Sequence, residues 1–389
     1  MMSWFHMISL RSMGLFLLLV FALASGCSDG ADSSEVESAS TCNPGDVLLS
    51  EAPPASAAAC SIPPGPISSI LETAASRQRS VADQRRAELL DPSRITVVTC
   101  GTGSPFPSAR AQSCLAVFVN GQFLLFDAGD RAQDSMEDLN LPVTDIDAVF
   151  LTHFHADHVA DLGEVMSRSW ILGRHRPLEV YGGKEVEQIV SGFNTVYAAD
   201  DAYRVAHHGA DLFPAVRAAT AMTILAPGPE GRPVYEVDGV QVLAYGVDHS
   251  PVATALGYRV EYAGKSVAIS GDTIDTQGLR ALAANADVLV SDVMNKTIVD
   301  ETECAFGRIP DPRLEKIFRD IRTYHIDLPE LAELANDAGV ATLVVTHLVP
   351  AVDDPAQVDR FFRQPASALY NGTLVVAEDG TEVVISLVD

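Results

Sequence analysis

One short block constrains the fold and the chemistry of this chain more than any other feature. Residues 152–158 read THFHADH and directly follow the apolar run 148–151, which predicts a buried β-strand. The block contains four potential metal ligands: His153, His155, Asp157 and His158. Zinc and related divalent metals prefer neutral imidazoles and carboxylates, and the first two histidines can point to the same side of an extended segment. The block therefore predicts a metal site at a strand end, against the alternative of a polar loop rich in histidine by chance.

Four further apolar runs also end in a histidine or an aspartate. The residues are Asp127 after 123–126, His249 after 240–245, Asp272 after 266–269 and His347 after 343–345. In α/β sheets, binding sites assemble at the carboxyl ends of the strands. One such residue alone is usually a satisfied polar group or part of a turn. Together with the block, however, the four supply a complete set of metal ligands.

From Arg94 onwards, short apolar runs alternate with amphipathic stretches, which predicts an α/β domain over 94–389. The predicted strands are 95–99, 116–119, 123–126, 148–151, 178–181, 240–245, 256–261, 266–269, 288–290, 343–345 and 383–387. The predicted helices are 159–171, 184–199, 276–285, 311–320 and 328–338. Asp327 and Glu330 have the spacing of a capping box at the start of the last helix.

The order of these motifs resembles the metallo-β-lactamase superfamily, and most closely its ribonuclease Z and arylsulfatase-like branch. The matching motifs are Gly101-Thr102-Gly103-Ser104-Pro105, Asp127, the block, His249, Gly271-Asp272-Thr273 and Thr346-His347. The resemblance covers 94–389. It implies a four-layer αββα sandwich, in which two mixed sheets face each other and helices lie outside.

The resemblance also implies two divalent metal ions, with Zn expected and Mn or Fe as alternatives. One metal would be held by His153, His155 and His249, and the other by Asp157, His158 and His347. Asp272 would bridge both metals, and Asp127 would orient a ligand histidine through a hydrogen bond. The catalytic residues expected on this basis are Asp157, Asp272 and His325.

His325 directly precedes the capping box. In the ribonuclease Z branch, a histidine at this place lies near the metals and helps proton transfer, and its partner is the Glu of a His-Glu-Ala stretch. Here the corresponding stretch is Ser291-Asp292-Val293, so the shorter Asp292 would have to serve. A loop histidine that supports the start of the helix is an equal alternative. His207 and His208 are candidates for a substrate pocket or for the surface.

The function implied is hydrolysis of a small phosphodiester or sulfate ester through a metal-bound hydroxide, with a lactone or β-lactam as the alternative substrate. Nucleic acid is not expected, because a formal net charge of −26 repels polyphosphate. In addition, the segment 200–239 is not basic, whereas ribonuclease Z grips tRNA with a basic arm. A non-catalytic, surface-anchored binding module is a second hypothesis. The complete ligand set argues against it.

The first 27 residues predict export. The apolar stretch Met13–Ala24 is too short to span a bilayer comfortably, and Leu23-Ala24-Ser25-Gly26-Cys27 resembles the lipobox of bacterial lipoproteins. Cys27 would then carry a lipid anchor on the periplasmic face of the outer membrane, the location favoured by Ser28; an ordinary secretory signal is the alternative. The composition of 28–66 predicts a flexible tether, and 67–93 an amphipathic helix.

The remaining cysteines suggest little metal chemistry, because no CxxC pair exists to form a thiolate zinc site. Cys42 and Cys60 lie in an exported, loop-rich segment and are candidates for a disulfide. Cys100 and Cys114 flank a loop and are interpreted as small buried residues. Cys304 has no obvious partner.

Overall fold

A computed structural model describes residues 65–225, 227–309 and 311–387 of the chain. The predicted signal peptide ending at Cys27, the candidate disulfide of Cys42 and Cys60, and all but the end of the predicted tether lie outside the described residues. None of the described helices has both the length and the apolar composition needed to cross a membrane.

Two seven-stranded mixed sheets form the centre of the fold. The first has the order β14-β1-β2-β3-β4-β5-β6 and contains β1 (Arg94–Gly101), β2 (Cys114–Val119), β3 (Gln122–Phe126), β4 (Ile146–Phe150), β5 (Leu178–Gly182), β6 (Ala219–Thr223) and β14 (Glu382–Ser386). The second has the order β13-β12-β11-β10-β9-β8-β7 and contains β7 (Arg232–Val237), β8 (Val240–Val247), β9 (Ala255–Tyr262), β10 (Lys265–Ile269), β11 (Val288–Met294), β12 (Thr342–Val349) and β13 (Thr373–Val376). In each sheet, four consecutive strands are parallel: β3 to β6 and β10 to β13.

The sheets face each other across an apolar core. Along a strand, successive side chains point to opposite faces, so each central strand contributes to two layers. In β3, Leu124 packs in the core between the sheets, whereas its neighbour Leu125 packs in the core under the helices. Because both faces are covered, β2 and β3 are buried along their whole length, which explains their almost continuous apolar sequences.

Helices cover both outer faces. The first sheet carries α2 (Ala132–Asp138), α4 (Leu162–Ile171) and α5 (Val186–His208), and a single turn, α3 (Ala156–Val159), follows β4. The second sheet carries α6 (Gln277–Ala283), α9 (Leu328–Asp337), α10 (Pro355–Val358) and α11 (Gln364–Ser367). A smaller core lies beneath α7 (Lys296–Arg308) and α8 (Pro312–Ile321). These layers confirm the predicted αββα sandwich.

The stretch predicted as an amphipathic helix coincides with α1 (Pro66–Leu89). Its apolar side chains are exposed, however: Ile67 and Ile70 each keep 68% of their accessible surface. Only the last turn is buried, through Leu89. The exposed face of α1 thus contributes little to the core of the domain.

Sequence patterns predicted no strand at β6, β7 or β13. Each of these lies at the edge of a sheet or is poorly buried, and β7 has one buried residue in six. A strand with few buried residues needs few apolar side chains, so its sequence signal is weak. Helices α2 and α7 and the single-turn helices α3, α10 and α11 were also missed.

The predicted capping box is wrong in part. Asp327 occupies the N-cap position of α9, but its side chain makes no capping hydrogen bond there. Its Oδ1 instead accepts a hydrogen bond from the backbone N–H of Lys296, at 2.9 Å. The carboxylate therefore ties the start of α7 to the start of α9, which pattern matching along one helix cannot detect.

Cys100 and Cys114 form a disulfide, which corrects their interpretation as merely small buried residues. Both are buried, and they lie 14 residues apart at the end of β1 and the start of β2. Antiparallel pairing of these strands places the two Cα atoms 4.9 Å apart, within the range that a disulfide requires. Asp379 also holds the enclosed loop, because it accepts hydrogen bonds from the backbone N–H groups of Thr102 and Ala111 at 2.9 and 2.7 Å.

We expect the double substitution Cys100→Ala and Cys114→Ala to lower the free energy of unfolding by about 3 kcal/mol, because closing a loop of about 15 residues restricts the unfolded chain by roughly that amount. Urea denaturation under oxidising conditions measures this change. The exposed Cys304, which forms no disulfide with a described residue, provides the control, and Cys304→Ala should leave the urea midpoint unchanged. Equal stability of the double variant and the unmodified protein would contradict the prediction.

Candidate metal centre

The structure brings all seven predicted ligands together at one end of the two sheets. Their atoms fall into overlapping groups of three, in which potential ligand atoms lie within 4.8 Å of one another. One group is His153, His155 and His249; another is Asp157, His158 and His347; and Asp272 joins members of both sets. We call the first two groups the first trio and the second trio.

In the first trio, ring nitrogens face ring nitrogens. His155 Nδ1 lies 2.9 Å from His153 Nε2 and 3.3 Å from His249 Nε2. His153 follows β4, His155 precedes α3, and His249 follows β8, so both sheets contribute. Burial lowers the pKa of all three histidines, well below its usual range for His153 and to about 4 for His249. The neutral rings present converging lone pairs, as a bound cation requires.

The second trio contains a buried nitrogen that the protein does not satisfy. His158 Nε2 forms no hydrogen bond among the described residues, although Asp272 Oδ2 lies 3.3 Å away. Asp157 Oδ2 lies 3.7 Å from this nitrogen and 3.1 Å from His347 Nε2. Buried polar atoms normally have a partner, so this arrangement fits a metal ion held by the second trio.

His347 reaches the site through an irregularity of β12. Its φ is 44°, in the left-handed region, and the pairing of β12 with β11 shifts register between Asp292 and Val293. A bulge of this kind redirects one side chain without ending the strand. The strained backbone at His347 is typical of a residue held in place for function.

Asp272 lies between the two trios. Its Oδ2 is within 3.9 Å of four ring nitrogens, the Nε2 atoms of His153, His158, His249 and His347. The preceding Gly271 has φ 61° and leaves no room for a side chain, because an added Cβ would lie 2.8 Å from the carbonyl oxygen of Leu256. The close approach of two chain segments therefore explains the glycine and presents Asp272 to both trios.

The charges around Asp272 favour its ionised form. Burial opposes ionisation, but His347 and His158 outweigh it and hold the pKa of Asp272 well below its usual range. Conversely, burial disfavours the charged form of His158 and His347, yet neighbouring carboxylates, led by Asp272, raise the pKa of both. The second trio thus favours positive charge, whether a proton or a bound cation supplies it.

Asp127 holds the ring of His158, one of the ligands that the resemblance predicts. Its Oδ2 accepts a hydrogen bond from His158 Nδ1 at 2.7 Å, which leaves Nε2 of that ring for the second trio. The backbone N–H and the hydroxyl of Thr152 donate to the same carboxylate at 2.8 and 2.9 Å. Asp127 itself has φ 58°, a second strained position at the centre.

Sequence reasoning did not identify Tyr324. Its carbonyl oxygen lies 2.8 Å from His249 Nδ1, which donates to it and leaves Nε2 for the first trio. A backbone acceptor has no signature in the sequence. The exposed His207 and His208 end α5, and neither lines the cavities around the centre.

His325 and Asp292 are paired beside the centre. His325 Nδ1 lies 2.8 Å from Asp292 Oδ2, and both side chains are buried. Burial lowers the pKa of His325 to about 4, and burial beside Asp272 raises the pKa of Asp292 well above its usual range. Both shifts favour the uncharged form of each group, and the short contact allows a proton to be shared between Oδ2 and Nδ1.

Comparison with known proteins agrees with this geometry. The sequence model of the Beta-lactamase superfamily domain matches residues 123–348, which include every residue of the centre. Ribonuclease Z of Mycobacterium bovis (strain BCG / Pasteur 1173P2) is 35% identical over 289 residues, covering 73% of this chain and 96% of the relative. Ribonuclease Z of Mycolicibacterium paratuberculosis is 37% identical over the same shares.

Solved structures share the fold at lower identity. The metallo-β-lactamase fold protein YhfI from Bacillus subtilis has a TM-score of 0.55 and 19% identity, covering 75% of this chain and 99% of its own. The short form of human tRNase Z has a TM-score of 0.54 and 18% identity, with the same coverage. This chain therefore belongs to the metallo-β-lactamase superfamily, as a hydrolase with ribonuclease Z relatives.

Proposed function

We propose that the protein is a dinuclear, metal-dependent phosphodiesterase. One observation carries the proposal: the buried carboxylate of Asp272 lies between the first trio and the second trio. An arrangement in which one carboxylate bridges two metals suits an in-line displacement at phosphorus, because both the attacking and the leaving oxygen need stabilisation. The ribonuclease Z relatives also support phosphodiester hydrolysis.

The residues present fit two cations. The first trio offers three neutral imidazoles, the second trio offers two imidazoles and a carboxylate, and Asp272 serves both. This donor set suits Zn first and Mn or Fe as alternatives. Cations held there would supply an activated water and offset the negative charge that develops on the ester oxygens.

The chain itself contributes orientation and a proton. Asp127 holds the ring of His158, and the carbonyl of Tyr324 holds the ring of His249, so neither ligand can turn away. In this proposal the Asp292–His325 pair shares a proton between Oδ2 and Nδ1, and His325 carries a second proton on Nε2. His325 Nε2 donates its proton to the leaving oxygen while the shared proton moves from Asp292 to Nδ1, so the imidazole stays neutral and the carboxylate of Asp292 takes the negative charge.

We expect Asp272→Asn to reduce metal content below two ions per chain and to lower kcat for bis(p-nitrophenyl) phosphate by at least about a hundredfold, because the neutral amide cannot bridge two cations. Elemental analysis and the chromogenic assay measure both quantities. Asp275→Asn is the matched control, since Asp275 lies three residues away and pairs with Arg280 outside the centre. A fully active, fully metallated Asp272→Asn protein would overturn the proposal.

The same assay addresses the class of substrate. The net charge of −26 favours a small phosphodiester, whereas the relatives named ribonuclease Z make RNA a candidate. A sulfate ester, a lactone and a β-lactam remain alternatives. Preferential cleavage of the small diester over single-stranded RNA, p-nitrophenyl sulfate and chromogenic lactone or β-lactam substrates would support the proposal. Bound metals without turnover of any of these would favour a non-catalytic binding module.

We expect the loss of hydrolytic rate in His325→Ala to depend on the leaving group of the substrate. Loss of a general acid should reduce hydrolysis of a diester with an alkoxide leaving group by about a hundredfold or more, and that of a p-nitrophenyl diester much less, because p-nitrophenolate leaves without a proton. Metal content should stay at two ions per chain. His175→Ala, at an exposed loop histidine, is the control.

An equal loss for both leaving groups, together with a loss of metal from His325→Ala, would contradict this role. It would show instead that His325 is a metal ligand. His325 does share a group with His249 and Asp272 in which ligand atoms lie within 4.8 Å, so the experiment separates two defined possibilities.

We also propose that the protein is exported and anchored through a lipid on Cys27, on the periplasmic face of the outer membrane. The lipobox-like residues 23–27 support this proposal, and so does the buried disulfide of Cys100 and Cys114, because disulfides persist mainly in oxidising compartments.

In a Gram-negative host, Cys27→Ser should remove the protein from the outer-membrane fraction and abolish labelling with radioactive palmitate. Cys42→Ser, at a cysteine outside the lipobox, should leave both unchanged. Fractionation and autoradiography measure the two effects. Continued labelling of Cys27→Ser would refute the anchor.

A further inference from the structure

A cavity of about 310 Å³ opens beside the metal centre. Its lining includes His155 and Asp272 of the centre. It also includes a set of apolar and aromatic side chains, which we call the apolar wall: Phe106, Ile317, Ile321, Tyr324 and Val349. The volume is at the lower end of the range of about 300–1,000 Å³ for small-molecule pockets, so it suits a small substituent.

The apolar wall is preorganised by packing within the protein. Phe106 stacks on Phe318 with ring centroids 5.0 Å apart and an interplanar angle of 17°. Phe306 also stacks on Phe318, with ring centroids 5.7 Å apart. Phe318 and Ile321 are buried in the small core beneath α7 and α8. Packed aromatic rings therefore support the apolar wall.

The loop that carries Phe106 is fixed at several points. The disulfide of Cys100 and Cys114 closes it, and Asp353 accepts hydrogen bonds from Ser108 Oγ and the backbone N–H of Ala109 at 2.6 and 2.9 Å. A wall held this firmly loses little conformational entropy when a ligand binds.

No lysine or arginine lines this cavity among the described residues. Three basic residues on and just after α8 are paired with acids: Lys316 with Asp320, Arg319 with Glu303 at 2.9 Å, and Arg322 with Asp300 and Glu303. Arg313, also on α8, forms no ion pair with a described residue, but it does not line the cavity. The described lining therefore offers a chain of phosphates no basic side chain. An apolar group would find a matching surface.

We propose that this cavity holds an aromatic or bulky apolar ester arm of the substrate, so that the protein prefers small phosphodiesters with one such arm. The inference rests on the proposed phosphodiesterase function. The phosphate lies at the metal centre, and the arm lies against Phe106 and Ile317, where it leaves water. The apolar wall, rather than a basic groove, then determines specificity.

The test compares two diesters with the same leaving group, phenyl p-nitrophenyl phosphate and methyl p-nitrophenyl phosphate. After correction for the uncatalysed rates, we expect kcat/KM for the phenyl diester to be higher by about tenfold or more, since burial of a phenyl ring is worth at least that much. Single-stranded RNA is assayed in parallel, and a higher kcat/KM for RNA than for the phenyl diester would overturn the inference.

Phe106→Ala and Ile317→Ala should each lower kcat/KM for the phenyl diester several-fold to tenfold, and for the methyl diester much less. Disruption of the fold would reduce both alike, so the ratio reports on the wall alone. Ile317 provides the second variant should Phe106→Ala disturb its loop. Leu369→Ala, at an exposed apolar residue outside the cavity, should leave both values unchanged.

The two hypotheses can fail separately. Hydrolysis of both diesters without preference, and equal losses in the two wall variants, would overturn this inference and leave the phosphodiesterase function intact. If neither diester is hydrolysed, the proposed function fails, and calorimetric binding of phenylphosphonate and methylphosphonate decides the role of the cavity. Tighter binding of phenylphosphonate, weakened by Phe106→Ala, would support the aromatic subsite, and equal binding would overturn it.

Discussion

The centre depends on one electrostatic constraint, the burial of the ionised carboxylate of Asp272. Removing a carboxylate from water costs several kcal/mol unless positive charge compensates for it. Among the described residues, no lysine or arginine lines the cavities around the centre, and imidazoles surround the carboxylate instead. Those of the second trio gain affinity for positive charge from Asp272, whereas those of the first trio stay neutral. The site therefore requires positive charge and has the ligands to take it from metal ions.

The two sheets satisfy this constraint because their strands end at the same place. β4 belongs to the first sheet and β8, β10 and β12 to the second, yet they bring potential ligands to one point: the first three end just before them, and β12 presents His347 from its bulge. Regular strands alone are not sufficient. Asp127 and His347 have positive φ, and Gly271 allows a close approach that a Cβ would prevent. The packed core between the sheets is what holds these strained positions, since strain persists only where the surroundings determine it.

The contrast between regular strands and irregular positions explains what could be predicted from the sequence. The potential ligands follow apolar runs directly, so the pattern of strand ends predicted both their positions and the αββα sandwich. Three of the four edge strands, β6, β7 and β13, were not predicted; β7, for example, has one buried residue in six. The disulfide was missed because the pairing of Cys100 with Cys114 depends on the antiparallel register of β1 and β2. Tyr324 acts through a carbonyl and Asp327 through a bond to a distant helix, and neither role depends on a recognisable side-chain pattern.

The loop between β1 and β2 connects these separate features. It begins and ends at the disulfide, and its central Phe106 forms part of the apolar wall. Just before the second cysteine, the hydroxyl of Ser113 donates to Asp127 Oδ2 at 3.2 Å, the same oxygen that binds His158. One closed loop thus supports both a metal ligand and the surface next to the metals. Because a misplacement of about 1 Å can cost a hundredfold in rate, a covalent tie here would, in the proposed phosphodiesterase, fix the distance between the reacting phosphate and the apolar arm.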